Sequence, residues 1–125
     1  MHEFAIAQSL IAAATAEGER ARATRITKLV CRIGSLRQVD DWLIREAFEI
    51  ARADTLCAES ELVVEKVAMQ AFCTDCRDHF AVQDWDWRCP ACGKEGEAPS
   101  GGDELELVSI DAEVPDGDNG PEERL

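Results

Sequence analysis

Four cysteines stand in two C-x2-C pairs, Cys73-Thr74-Asp75-Cys76 and Cys89-Pro90-Ala91-Cys92, with twelve residues between the pairs. Each pair puts two thiolates on one tight turn, and two such turns facing each other complete a tetrahedron of sulfur. Zn(II) suits that shell, because it accepts four sulfurs without redox chemistry. A closed set of thiolates leaves no position for water or substrate, so the expected role is structural. An iron centre with four sulfurs is the main competitor, since a tetrahedral all-sulfur site also suits iron. His79, three residues beyond Cys76, is a donor that a full sulfur shell does not require. Gly93 after the second pair gives the backbone a freedom that Arg77, at the matching place in the first, does not share. Cys31 and Cys57 are isolated in sequence and read as buried thiols.

A second constellation opens the chain, Met1-His2-Glu3. The Met1 amine, the His2 imidazole and the backbone nitrogens of His2 and Glu3 are spaced to form fused chelate rings once the amides lose their protons. A planar set of nitrogens suits Ni(II) or Cu(II) and disfavours Zn(II). The plainer reading makes His2 a solvated terminal residue and Glu3 a first-turn acid answering the helix dipole.

The elements that must position these groups follow from periodicity. Phe4, Ala7, Leu10, Ile11 and Ala14 recur at helical spacing over residues 4–16, and Gly18 suits a C-terminal stop. Residues 23–33 mix β-branched side chains with Lys28 and Arg32 on one face and predict a strand, closed by a Gly34-Ser35 turn. Asp40 is the N-cap of a second helix reaching about Ala53, with Val39 and Ile44 placed as a hydrophobic staple. A strand over residues 62–69 continues toward Cys73, and alternation of Leu105 and Leu107 with Glu104 and Glu106 predicts another over 103–114. The fold class expected is α+β: a small mixed sheet of three strands with two helices, plus an inserted four-cysteine, zinc-ribbon-like lobe. Residues 1–69 and 103–114 form the first lobe and 70–102 the second. The tail 115–125 has two prolines, two glycines and no apolar cluster, and is expected to be disordered. The insert carries only Phe80, Val82, Trp85 and Trp87 as large apolar groups between its pairs, so metal binding should supply most of its folding energy.

Composition narrows the function classes. A chain of 125 residues holds one core and a small appended lobe, with no room for a two-domain nucleotide-driven enzyme. The net charge is −13, and residues 95–125 carry −10 of it. That balance repels nucleic-acid backbones and anionic membranes. Within 73–94 the bases Arg77, Arg88 and Lys94 face the acids Asp75, Asp78, Asp84 and Asp86, so no basic groove is evident beside the aromatic residues. Apolar runs fall far short of the roughly 20 residues needed to span a bilayer, and no basic leader opens the chain. The protein is expected to be cytoplasmic, with no membrane or nucleic-acid partner. Two histidines, no tyrosine and no glycine-rich phosphate loop leave an enzyme without machinery.

The combination of MHEFAIAQSLI, the C-x2-C-x12-C-x2-C array and the closing SGGDELELVSIDAEV resembles the HypA/HybF family of hydrogenase maturation factors, in the same order from Met1 to about Val114. The resemblance implies a nickel metallochaperone that receives Ni(II) as transient cargo. It would pass the ion toward the large subunit of [NiFe] hydrogenase, or its maturation complex, working with the GTPase HypB. It also implies a nickel site on Met1, His2 and Glu3 and a structural Zn(II) site on Cys73, Cys76, Cys89 and Cys92. The extension from Pro115 to Leu125 has no counterpart in the family pattern. A zinc-ribbon adaptor that only scaffolds protein contacts, with His2 a bystander, is the alternative.

Overall fold

The computed structural model describes residues 2–115. In chain order the elements are α1 (Glu3–Arg20), β1 (Arg25–Gly34), a 3-10 turn (Ser35–Arg37), α2 (Asp41–Ala51), β2 (Glu61–Val67), β3 (Gln70–Cys73), β4 (Asp78–Ala81), β5 (Glu97–Ser100) and β6 (Leu105–Glu113). The chain separates into two compact units. One holds the residues up to Arg32, Val39–Glu65 and the chain from Glu106 onward; the other holds Ile33–Gln38 and Lys66–Leu105.

The first unit rests on the sheet β2-β1-β6. Thr24 N–H donates to Glu113 O at one end of β1 and Gly34 N–H to Glu104 O at the other, both at 2.8 Å, so β6 runs antiparallel to β1. Ser60 Oγ donates to Ile26 O, and Arg32 pairs with Glu65 at 3.1 Å, so β2 advances in step with β1 and α2 is the crossover between parallel strands. Two arginines of the central strand bridge acids to either side: Arg25 meets Glu59 and Glu113, and Arg32 meets Glu65 and Glu106. The core takes Ile6, Leu10 and Ile11 from α1, Ile44 and Phe48 from α2, Ile26 and Leu29 from β1, and Ile110 and Ala112 from β6. Each large aliphatic side chain so buried contributes about 1.5–3 kcal/mol.

The second helix begins where its sequence says it should. Asp40 Oδ1 accepts the Leu43 N–H at 2.9 Å, and Ile44 is fully buried. The first helix does not stop at Gly18. It continues to Arg20, supported by an Arg20–Glu17 ion pair, and Gly18 is buried inside it. A Cβ at Gly18 would stand 3.0 Å from Ile26 Cδ1 and 3.3 Å from Leu56 Cδ1, so this glycine serves packing rather than termination. Past the Ala21 C-cap, Arg22 takes the left-handed conformation (φ 61°), while Arg22 N–H reaches Glu19 O and Ala23 N–H reaches Gly18 O. That bonding pattern is a Schellman cap, with arginine where glycine is usual.

The second unit holds a separate antiparallel sheet, β4-β3-β5. The strand expected to continue from residue 62 to the first cysteine pair is broken after Val67, and β3 begins the new sheet at Gln70. Its small core gathers Met69, Ala71, Cys73, Phe80, Val82 and Cys89, with Trp87 packed against it. Trp85 stays out of that core at 57% exposure.

Candidate metal centres

The four cysteines expected to bind metal come together. Cys73 ends β3, Cys76 closes the turn to β4, and Cys89 and Cys92 lie on the matching turn before β5. Their sulfurs all lie within 4.8 Å of one another. Cys73 Sγ is 3.5 Å from Cys92 Sγ, and Cys89 Sγ is 3.9 Å from Cys76 Sγ. Sulfurs bound at about 2.3 Å to a tetrahedral zinc lie about 3.8 Å apart, close to these two spacings, so the donor set suits that ion.

Both turns share one backbone design. Arg77 N–H donates to Cys73 O at 2.7 Å, and Gly93 N–H donates to Cys89 O at 2.8 Å. Arg77 (φ 57°) and Gly93 (φ 82°) both adopt the left-handed conformation, so the first turn takes the same shape as the second despite lacking a glycine. The turns also aim amides at sulfur: Cys76 N–H lies 3.4 Å from Cys73 Sγ. N–H groups of Cys92 and Ala91 hold the Cys89 thiol down to about 7, whereas the Cys73, Cys92 and Cys89 sulfurs around Cys76 push its thiol up to about 12. Lys94 Nζ pairs with Asp75 at 2.9 Å, and Cys89 N–H donates to Lys94 O at 2.7 Å. His79 stacks edge-on against Phe72, with ring centroids 5.1 Å apart, and is not among the clustered donors. Cys31 and Cys57 are fully buried; burial pushes the Cys31 thiol up to about 11 and raises that of Cys57. Neither has the thiolate character of a ligand or nucleophile.

At the other constellation, Met1 lies outside the described residues, as do residues 116–125 of the expected tail. His2 is the exposed N-cap of α1 and Glu3 its first residue. The first intrahelical bond runs from Ile6 N–H to His2 O at 2.9 Å, so the amides of His2 and Glu3 stand outside the helical ladder. They can lose protons to a metal without breaking a helical hydrogen bond. The Glu3 side chain is buried, and its Oε2 accepts the Asp40 N–H at 3.1 Å. That bond, with one from Glu3's own amide, holds the carboxyl below the usual range. Glu3 therefore ties the start of α1 to the cap of α2, a link sequence reading missed because the two residues are 37 positions apart.

Comparison with known proteins covers nearly the whole chain. The family model described as HypA, hydrogenase/urease nickel incorporation, metallochaperone, matches residues 1–112. A hydrogenase maturation factor HypA from Picosynechococcus sp. is 34% identical over 111 residues, covering 89% of this chain and 98% of that protein. One from Wolinella succinogenes is 32% identical over 117 residues, covering 93% and 98%. Among solved structures, the solution structure of the Ni metallochaperone HypA from Helicobacter pylori superposes with a TM-score of 0.63 at 27% identity, covering 92% of this chain and all of that one.

Proposed function

Because this chain belongs to the HypA family of hydrogenase/urease nickel-incorporation metallochaperones, we propose that it binds Ni(II) through its amino terminus and delivers it for maturation of [NiFe] hydrogenase. The Met1 amine, the His2 imidazole and the backbone nitrogens of His2 and Glu3 form the nickel site. Cys73, Cys76, Cys89 and Cys92 hold a structural Zn(II), whose chemistry is confined to fixing the two turns. In this reading residues 1–69 and 103–114 are the nickel-binding lobe and 70–102 the zinc lobe. The GTPase HypB and the hydrogenase large subunit are the partners, met in the cytoplasm.

The observation that carries the reading is the first turn of α1. The helical ladder begins with Ile6 N–H on His2 O, so the His2 and Glu3 amides carry no helical hydrogen bond, and the Glu3 carboxylate anchors that turn to Asp40. A site at a chain end suits a carrier, since a recipient can reach the ion without unfolding the core. Nickel is titrated into the wild type, His2→Ala, and a chain with one residue added before Met1, following the absorption of planar nickel. The band is expected in the wild type alone, with zinc content unchanged throughout. Equal binding by all three removes the amino-terminal site and favours the adaptor.

A further inference from the structure

The outer face of α2 breaks the rule that the solvent side of a surface helix is polar. Trp42 is 66% exposed and Ile50 67%, with Leu43 at 40% beside them. Trp42, Glu46 and Ile50 follow one another at steps of four and form a single ridge, its apolar ends about 12 Å apart along the axis. Ile44, Ala47 and Phe48 occupy the opposite, buried side, so the ridge has no part in the core.

Charge says what fits against it. Asp41, Glu46 and Glu49 are exposed on this helix. Its arginines turn toward the protein: Arg45 donates to Leu62 O at 3.0 Å and pairs with Asp41, and Arg52 donates to Ser60 O at 2.7 Å. The outward surface is thus apolar with an acidic border. A second copy of this chain would bring the same carboxylates against Glu46 and Glu49, in a molecule of net charge −13. A partner with apolar side chains flanked by lysine or arginine gains both burial and opposite charge.

We propose that the Trp42–Glu46–Ile50 ridge of α2 is a docking surface for a basic amphipathic helix of a partner protein. The ridge starts two residues after Asp40, whose N–H holds Glu3, so a partner seated there lies beside the amino-terminal residues. The inference stands on α2 alone and does not require nickel at His2.

The full zinc-loaded chain is titrated with a synthetic 18-residue Leu/Lys amphipathic peptide and with its Leu/Glu counterpart, following the Trp42 indole and the backbone amides by NMR. The Leu/Lys peptide is expected to shift Trp42, Glu46 and Ile50, and the Leu/Glu peptide to shift nothing. Trp42→Ala and Ile50→Ala each weaken binding about tenfold. Both side chains are exposed, so these variants keep the helical circular dichroism of the wild type. Glu46→Gln with Glu49→Gln removes most of the salt dependence, and His2→Ala leaves binding unchanged. Shifts that map away from α2, or equal binding of the two peptides, overturn the proposal. So does a concentration-dependent dimer in sedimentation that Trp42→Ala abolishes, which would assign the face to a second copy.

Discussion

Individual residues carry opposite kinds of constraint at the two centres. At the amino terminus Glu3 is fixed by a hydrogen bond to its ionised form. A carboxyl whose folded value is lowered stabilises the fold above its ordinary value of about 4.5 and loses that contribution as pH falls through the lowered value. The α1 amides of Glu3→Gln should therefore exchange with a weaker acid dependence than those of the wild type, and the Glu3 carboxyl should titrate below 4.5 by NMR. At the cysteine turns the constraint is conformational. A Cβ at Gly93 meets nothing within 4 Å, so Gly93→Ala tests the left-handed backbone alone and should cost about 1 kcal/mol. Arg77→Gly at the equivalent position relieves that strain, though the added glycine freedom in the unfolded chain offsets part of it. Zinc-release midpoints in a chelator series should fall for Gly93→Ala and hold or rise for Arg77→Gly. Proton release follows from the thiols: neighbouring sulfurs raise Cys76 and backbone amides lower Cys89, so metal binding should free more of a proton at Cys76 than at Cys89, the net release read by calorimetry in buffers of different ionisation enthalpy.

At the scale of elements, what was legible in the sequence is what local chemistry decides. Asp40 as an N-cap, Ile44 as a buried position of the first turns and the alternation before Ile110 act within a few residues of themselves, and each is found where the pattern puts it. Recognition of the cysteine cluster rested likewise on spacing, because two C-x2-C turns leave the sulfurs few other places to go. Gly18 and Gly34 were unreadable for one shared reason: their use depends on distant atoms. Gly18 makes room for Ile26 and Leu56, and Gly34 makes room for Gly102. A Cβ at Gly34 would fall 2.1 Å from the Gly102 carbonyl and 2.6 Å from Asp103 N, which are backbone atoms that cannot swing away. Leu36 N–H also donates to Gly102 O at 2.6 Å, so the approach is bonded as well as tight. Gly34→Ala should destabilise by about 3 kcal/mol or more, seen as a lowered denaturant midpoint, whereas Asp40→Ala should lose only about 1 kcal/mol from its cap.

For the whole molecule, the two units are held by different forces. The first buries aliphatic side chains from both helices and the sheet, including Ile26, Leu29, Ile44 and Ile110 with no exposed surface. The second relies on Met69, Ala71, Phe80 and Val82 beside Cys73 and Cys89, with short strands of four residues each. Strands that short do not fold on propensity, and so small a cluster does not supply the several kcal/mol that ordering them requires. A structural metal in such a setting supplies on the order of 10 kcal/mol of folding free energy. Ile33–Gln38 joins this unit although it is more than thirty residues from the first cysteine, again through the Gly34–Gly102 approach that no sequence pattern advertises. Chelation at neutral pH should therefore abolish hydrogen-exchange protection in β3 and β4 while the amides of α1 and α2 stay protected, and one equivalent of zinc should restore the loss. Simultaneous exposure of all four elements would show instead that the aliphatic core depends on the metal, a result its complete burial of Ile26, Leu29, Ile44 and Ile110 argues against.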